Sequence, residues 1–192
     1  MIGLKSGSAI NRNLGGNVMP NQKAFVVIDM QNDYLWEKRK AKFSYPTEKF
    51  VNAVNQAISA YQEKGYDIIY IAQMFPNIIT NKWLIGFSIK GTAGAELYSQ
   101  LKIVSDLYFE KSLPDTYSSK AFREHMAKQG YTEVTLCGLD ECGCVGATAK
   151  GAVKTGVKVF MLENCIGRRF SDDKVQKMRD HLTSLGVQYI KL

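Results

Sequence analysis

Long apolar runs are missing from this 192-residue chain. None approaches the roughly 18 residues of a membrane-spanning helix, so no membrane partner is expected. The N-terminus lacks the apolar core of a secretory leader, which gives a cytoplasmic expectation. Histidine is scarce, at two residues, and cysteine stops at four, at positions 137, 142, 144 and 165. Their C-x4-C-x-C spacing is not a zinc-ribbon pattern, two histidines are too few to complete a metal set, and the C-x-x-C redox pair does not occur. Neither a metal nor another cofactor is expected. Without a leader, disulfides are not expected either. Cys137 and Cys165 lie within or beside apolar stretches and read as small core residues.

Charge is present but diffuse. The formal net charge is +7, yet the densest basic run, EKRKAK at 37–42, is short. That reads as a solvated basic surface, not a nucleic-acid site, whose affinity would fall steeply with salt. The length suits one domain with a real core, and 45% hydrophobic residues fit a globular protein.

Residues 1–22 are rich in Gly, Asn and Ser without periodicity. They read as an irregular arm that packs on the body, packs on a neighbouring subunit, or frays. From residue 23 the pattern alternates. Short apolar runs at 24–28, 68–72, 107–109, 134–139, 157–162 and 187–190 look like parallel strands covered on both faces. Helical segments are expected at 46–64, 118–129, 145–155 and 172–185. The first carries Phe50, Val51, Val54, Ile58 and Tyr61 on one stripe with Pro46 at its start, and Ser171 is a candidate N-cap for the last. Gly65, Gly130, Gly156 and Gly186 follow these helices, where a left-handed residue ends a helix. Strand–helix alternation of this kind predicts an α/β fold: a mainly parallel sheet of about six strands, with helices on both faces. The 73–105 connection is long and contains Phe75, Trp83 and Phe87. It is a candidate lid or pocket wall, or else a cover for a sheet edge.

Three segments set a reactive side chain at a strand exit, where sites lie in such sheets. They are AFVVIDMQND with Asp29, DLYFEKSLPDTYSS with Lys111, and VTLCGLDECGCVGATA with Cys144. Cys144 opens a helix, whose N–H groups and dipole favour a thiolate and could hold an oxyanion. Lys111 offers a cation and Asp29 a proton acceptor. Taken singly, each has an ordinary explanation: a core cysteine, a solvated lysine, a turn-forming aspartate. Spacing alone does not bring the three together.

Over residues 23–192 the chain resembles the isochorismatase-like cysteine hydrolases, which include nicotinamidases, N-carbamoylsarcosine amidases and ureidoacrylate amidases. VVIDMQNDYL, EKSLPDTYSSKAF and GLDECGCVGATAKGA carry the resemblance, together with GTAGAEL at 91–97. It implies one hydrolase domain with a Rossmann-like three-layer α/β/α sandwich and an Asp29–Lys111–Cys144 triad. It also implies a cis Leu139–Asp140 peptide and an oxyanion hole formed by the Asp140 and Cys144 N–H groups. Three departures stand out. QMFPN at 73–77 lacks the D-x-H metal motif of the nicotinamidase branch, Asp140 stands where a small residue is usual, and E-C-G-C-V replaces T-D-x-C-V. Having Cys144 argues against a true isochorismatase.

The expected activity is metal-independent hydrolysis of a C–N bond in a small amide or ureido-type substrate through a thioester. The alternatives are a non-catalytic binding or scaffold member of the fold, or a nicotinamidase-type amidase. Tyr34, Leu35, Phe75 and Trp83 are candidate pocket residues, chosen for apolar bulk near strand exits. A homodimer or homotetramer is expected from the resemblance and from the N-terminal arm.

Overall fold

The computed structural model describes residues 23–192, so the expected N-terminal arm lies outside the described residues. Six strands form one sheet: β1 (Lys23–Ile28), β2 (Asp67–Gln73), β3 (Tyr108–Lys111), β4 (Glu133–Gly138), β5 (Lys158–Ile166) and β6 (Gln188–Ile190). Their order is β3-β2-β1-β4-β5-β6, and every pairing is parallel. The helices are α1 (Asn32–Leu35), α2 (Thr47–Glu63), α3 (Ile79–Leu84), α4 (Lys120–Gln129), α5 (Cys144–Val153) and α6 (Asp172–Ser184).

Alternation along β1 shows why three layers form. Phe25 and Val27 join the cluster containing Phe50, Val54, Ile58 and Tyr61 of α2. Ala24, Val26 and Ile28 face the other way, onto Phe122 of α4, Val145 and Ala149 of α5 and Leu182 of α6. A strand buried on both faces must be apolar at successive positions, as this one is. The stripe expected on α2 is the buried one, and the four glycines after the helices all adopt positive φ. Ser171 has the extended backbone of an N-cap, but its side chain accepts no cap hydrogen bond.

The strand order places a topological switch between β1 and β4, because the chain winds outward from β1 to β3 and then returns to the other side of β1. The carboxyl ends of β1 and β4 therefore diverge into a crevice. Gly138 is required at its edge: a Cβ there would lie 2.1 Å from the Ile28 carbonyl oxygen, at φ 108°. β3 runs past the expected 107–109 to Lys111, which thereby comes into register beside Gln73 at the end of β2. The long 73–105 connection contains α3 and a 3₁₀ turn at Ala93–Ala95, and bridges pair Gln31 with Leu97 and Phe75 with Ile89.

Candidate active site

Asp29 follows β1 directly and holds φ at 54°, a left-handed conformation that a short polar side chain tolerates better than most. Its N–H donates to the Ile71 carbonyl at 2.9 Å, which pins the turn to β2. Lys111 Nζ donates to Asp29 Oδ2 at 2.9 Å and to Gln73 Oε1 at 2.8 Å. Both members of the ion pair are almost wholly buried, with side-chain exposures of 0% for Lys111 and 3% for Asp29. Cys144 begins α5 after Gly143, and its thiol comes within hydrogen-bonding reach of both Asp29 and Lys111. Three residues from distant parts of the chain thus meet at the switch point.

Their electrostatics differ from the sequence expectation. Burial, and then the Asp29 carboxylate, push the Cys144 thiol well above its ordinary value against the opposing pull of Lys111. At rest the sulfur keeps its proton. For Lys111, burial acts downward, but the charges of Asp29 and Cys144 outweigh it and the net shift is upward. Lys111 is a fixed cation throughout the neutral range.

The Leu139–Asp140 peptide is cis. Gly143 and Val145 N–H donate back to the Asp140 carbonyl, at 2.9 and 3.2 Å. Among the backbone hydrogen bonds outside the helices and strands of the described residues, none has the Asp140 or Cys144 N–H as donor. The unusual Asp140 carboxyl is held by Arg169 Nε at 3.1 Å and by the Tyr45 hydroxyl at 3.3 Å. Burial raises its pKa, and Arg169 opposes that shift. Gly143 is the counterpart of Asp140, since a Cβ at 143 would lie 2.8 Å from Asp140 Oδ1. The two departures at 140 and 143 therefore fit one another. Behind this turn, fully buried Glu141 is clamped by Arg179, at 2.7 Å from Nε and 3.2 Å from Nη2.

A cavity of about 300 Å³ opens over these groups. Asp29, Gln73, Asp140, Gly143 and Cys144 line its floor, and Tyr34, Phe43, Tyr45, Phe75 and Phe87 its walls. The rings pack edge to face, with Tyr34–Phe43 centroids 4.7 Å apart and Phe43–Phe87 5.2 Å apart. Lys42 and Arg169 also line it, and Lys42 Nζ lies 4.3 Å from the Phe87 centroid.

Two expected pocket residues do not belong to it. Leu35 is 1% exposed, belongs to the core cluster that holds the buried residues of α2, and does not line the cavity. Trp83 is 84% exposed, on the outward face that it shares with Ile79 on α3. Tyr34 and Phe75 do line the cavity. Sequence reasoning missed Gln73, Phe43, Tyr45, Lys42 and Arg169. QMFPN was informative only for the metal ligands it lacks, and FSY at 43–45 carried no signal beyond its aromatics. The end of β2 does not fit a metal: it presents Gln73 and Phe75, and no group of three or more His, Cys, Asp or Glu comes together among the described residues. No helix among them is long and apolar enough to cross a membrane.

A family model described as "Isochorismatase domain" matches residues 23–190. The chain belongs to the isochorismatase family. Among its relatives is the uncharacterized isochorismatase family protein YddQ of Bacillus subtilis (strain 168), 23% identical over 142 residues, or 73% of this chain and 75% of that one. The family fold recurs in solved structures. The pyrazinamidase of Pyrococcus horikoshii, in complex with zinc, aligns with TM-score 0.76 and 22% identity, covering 89% of this chain and 99% of its own. The N-carbamoylsarcosine amidase of Thermoplasma acidophilum gives 0.73 and 21%, covering 88% and 96%. A nicotinamidase of Bacillus subtilis gives 0.75 and 21%, covering 88% and 99%. At these identities the likeness shows the fold.

Proposed function

We propose that this isochorismatase-family chain is a metal-independent cysteine hydrolase that cleaves a C–N bond in a small amide or ureido-type substrate. The observation that carries the reading is the buried Lys111–Asp29 pair, at 2.9 Å, with the Cys144 thiol in reach of both. The amidases among its structural neighbours support the same chemistry.

In this mechanism Asp29 takes the thiol proton as Sγ bonds to the substrate carbonyl carbon. Because the resting thiol is protonated, transfer and attack go together, and Lys111 stabilises the sulfur as charge develops. The carbonyl oxygen becomes an oxyanion held by the Asp140 and Cys144 N–H groups. The tetrahedral adduct collapses, the C–N bond breaks, and Asp29 returns the proton to the departing ammonia or amine. Water then attacks the thioester, giving its proton to Asp29, and the C–S bond breaks. Sγ recovers the proton and the acid leaves.

Ammonia release from a panel of small amides and ureides in EDTA, wild type against Cys144→Ala, tests the reading. Release that survives EDTA and vanishes in the variant is the expected result. Silence across the panel, with Cys144 no more reactive toward iodoacetamide than buried Cys137, would point instead to a scaffold. The nicotinamidase alternative shares the support of those structural neighbours, but Gln73 and Phe75 do not supply a metal-binding donor set, which favours the metal-independent reading. We also propose a homodimer or homotetramer, on the strength of the family resemblance; a sedimentation mass of one 21.5 kDa chain would refute it.

A further inference from the structure

Helix α3 buries none of its residues, although half of them are apolar. Ile79 and Trp83, four positions apart, share one face of it, and Ile78 and Leu84 extend the patch. Their exposures run from 52% for Ile78 to 84% for Trp83. Monomeric proteins rarely leave so much contiguous apolar surface to water without a use for it. Next to this knob opens a hollow of about 400 Å³, lined by Asp33, Trp36, Phe87, Ile89, Ala93 and Gly94. Lys82 of α3 also borders the hollow, as does Gly86 just after the helix, so knob and hollow adjoin.

A knob beside a hollow is self-complementary. Under a two-fold rotation each copy's knob meets the other copy's hollow, and the contact closes on itself. The charges agree, since Lys82 is the basic residue of the knob and Asp33 the acidic residue of the hollow. The area agrees as well. The exposed parts of the four knob side chains amount to roughly 250–450 Å² of apolar surface. One side of a standard-size interface carries roughly 450–500 Å² of apolar area, and Trp36, Phe87 and Ile89 of the hollow supply the difference.

We propose that a second copy of this chain docks on this face, each protomer seating its Trp83 in the hollow of the other. The catalytic cavity is coupled to this contact through Phe87, which lines both the hollow and the cavity. On the cavity side its ring packs against those of Tyr34, Phe43 and Phe75, at centroid distances of 5.8, 5.2 and 6.0 Å. The partner's Trp83 therefore buttresses from behind a cavity wall that a lone protomer leaves open to water on that side. The proposal rests on the homo-oligomer reading above and adds to it the face and the residue exchanged. Its test does not require turnover, so it stands apart from the hydrolase reading.

Trp36 and Trp83 are the two tryptophans of the chain, so full-length Trp36→Phe protein reports on Trp83 alone. Its sedimentation mass and tryptophan emission are followed together on dilution. The emission is expected to lie to the blue while the protein is assembled and to move to that of an exposed indole as the mass falls. In the same background Trp83→Lys removes the knob, and Ala93→Tyr, at an exposed position, fills the hollow. Each should weaken association at least about 30-fold, as for loss of a central interface tryptophan. Unchanged association in either variant would overturn this face and leave the homo-oligomer standing on another. A wild-type mass of one chain would overturn both. Emission that stays blue in the monomer, or turns blue only with anionic lipid vesicles, would overturn the second copy as occupant, in favour of the same chain or a lipid surface.

Discussion

Replacing Lys111 by Met isolates the energetic heart of the site. The substitution keeps the apolar stem but removes an ammonium whose side chain is 0% exposed. Two partners lose their donor at once: Asp29 Oδ2, at 2.9 Å, and Gln73 Oε1, at 2.8 Å. Breaking a buried pair by deleting one member costs about 3–5 kcal/mol, because the surviving charge has no compensation. At about 2–4 °C per kcal/mol for a chain of this size, melting falls by roughly 6–20 °C. Deleting both charges is milder. In Lys111→Met/Asp29→Asn only the Gln73 oxygen is orphaned, at about 1–3 kcal/mol. The double variant is thus more stable than the single one, although both are inactive. Equilibrium urea unfolding at pH 7 measures the order. The sign of the pH dependence follows from the raised Lys111 pKa. Stability from the pair is fully present below the unfolded lysine value, about 10.4, and is lost only as pH climbs through the folded one. On the alkaline side, the deficit of Lys111→Met should therefore begin to narrow only in strong alkali. A double variant no more stable than Lys111→Met would refute the reasoning, since the pair would then not be held by mutual compensation.

Other consequences are open to direct measurement. The Asp29 carboxylate is one of the causes holding the Cys144 thiol up, so Asp29→Asn should speed iodoacetamide alkylation of Cys144 at pH 8 while abolishing ammonia release; slower alkylation by mass spectrometry would sink this account. Gly143→Ala drives a Cβ to 2.8 Å from Asp140 Oδ1 and should cost about 1–3 kcal/mol, with recovery in Gly143→Ala/Asp140→Gly; no recovery in a melting curve would separate the two positions. Arg179→Met strips the clamp from fully buried Glu141 and should cost about 3–5 kcal/mol, whereas a loss below about 1 kcal/mol in urea unfolding would show that Glu141 finds another partner.

The backbone plan was legible in local chemistry. Apolar runs without alternation mean strands covered on both faces, and the glycines past the helices carry the left-handed conformations that end them. Asp29, Lys111 and Cys144 were visible as strand-exit residues within three motifs, and three of the five aromatics on the cavity wall, Tyr34, Phe75 and Phe87, stood out in the sequence as pocket or lid candidates. Their meeting was not legible. Gln73 touches Lys111 only because β2 and β3 pair in that register, and a contact of 2.8 Å in space leaves no mark 38 positions away in sequence. Nor could composition separate Tyr34 from Leu35, or Phe75 from Trp83: each pair shares apolar bulk, and only the folded chain decides which member lines the cavity. The protonated state of Cys144 also belongs to the tertiary structure. The sequence showed a thiol at a helix start, which favours ionisation. Burial beside a carboxylate, set by the packing of β1 against β4, reverses that preference because a low-dielectric site penalises a second negative charge next to Asp29.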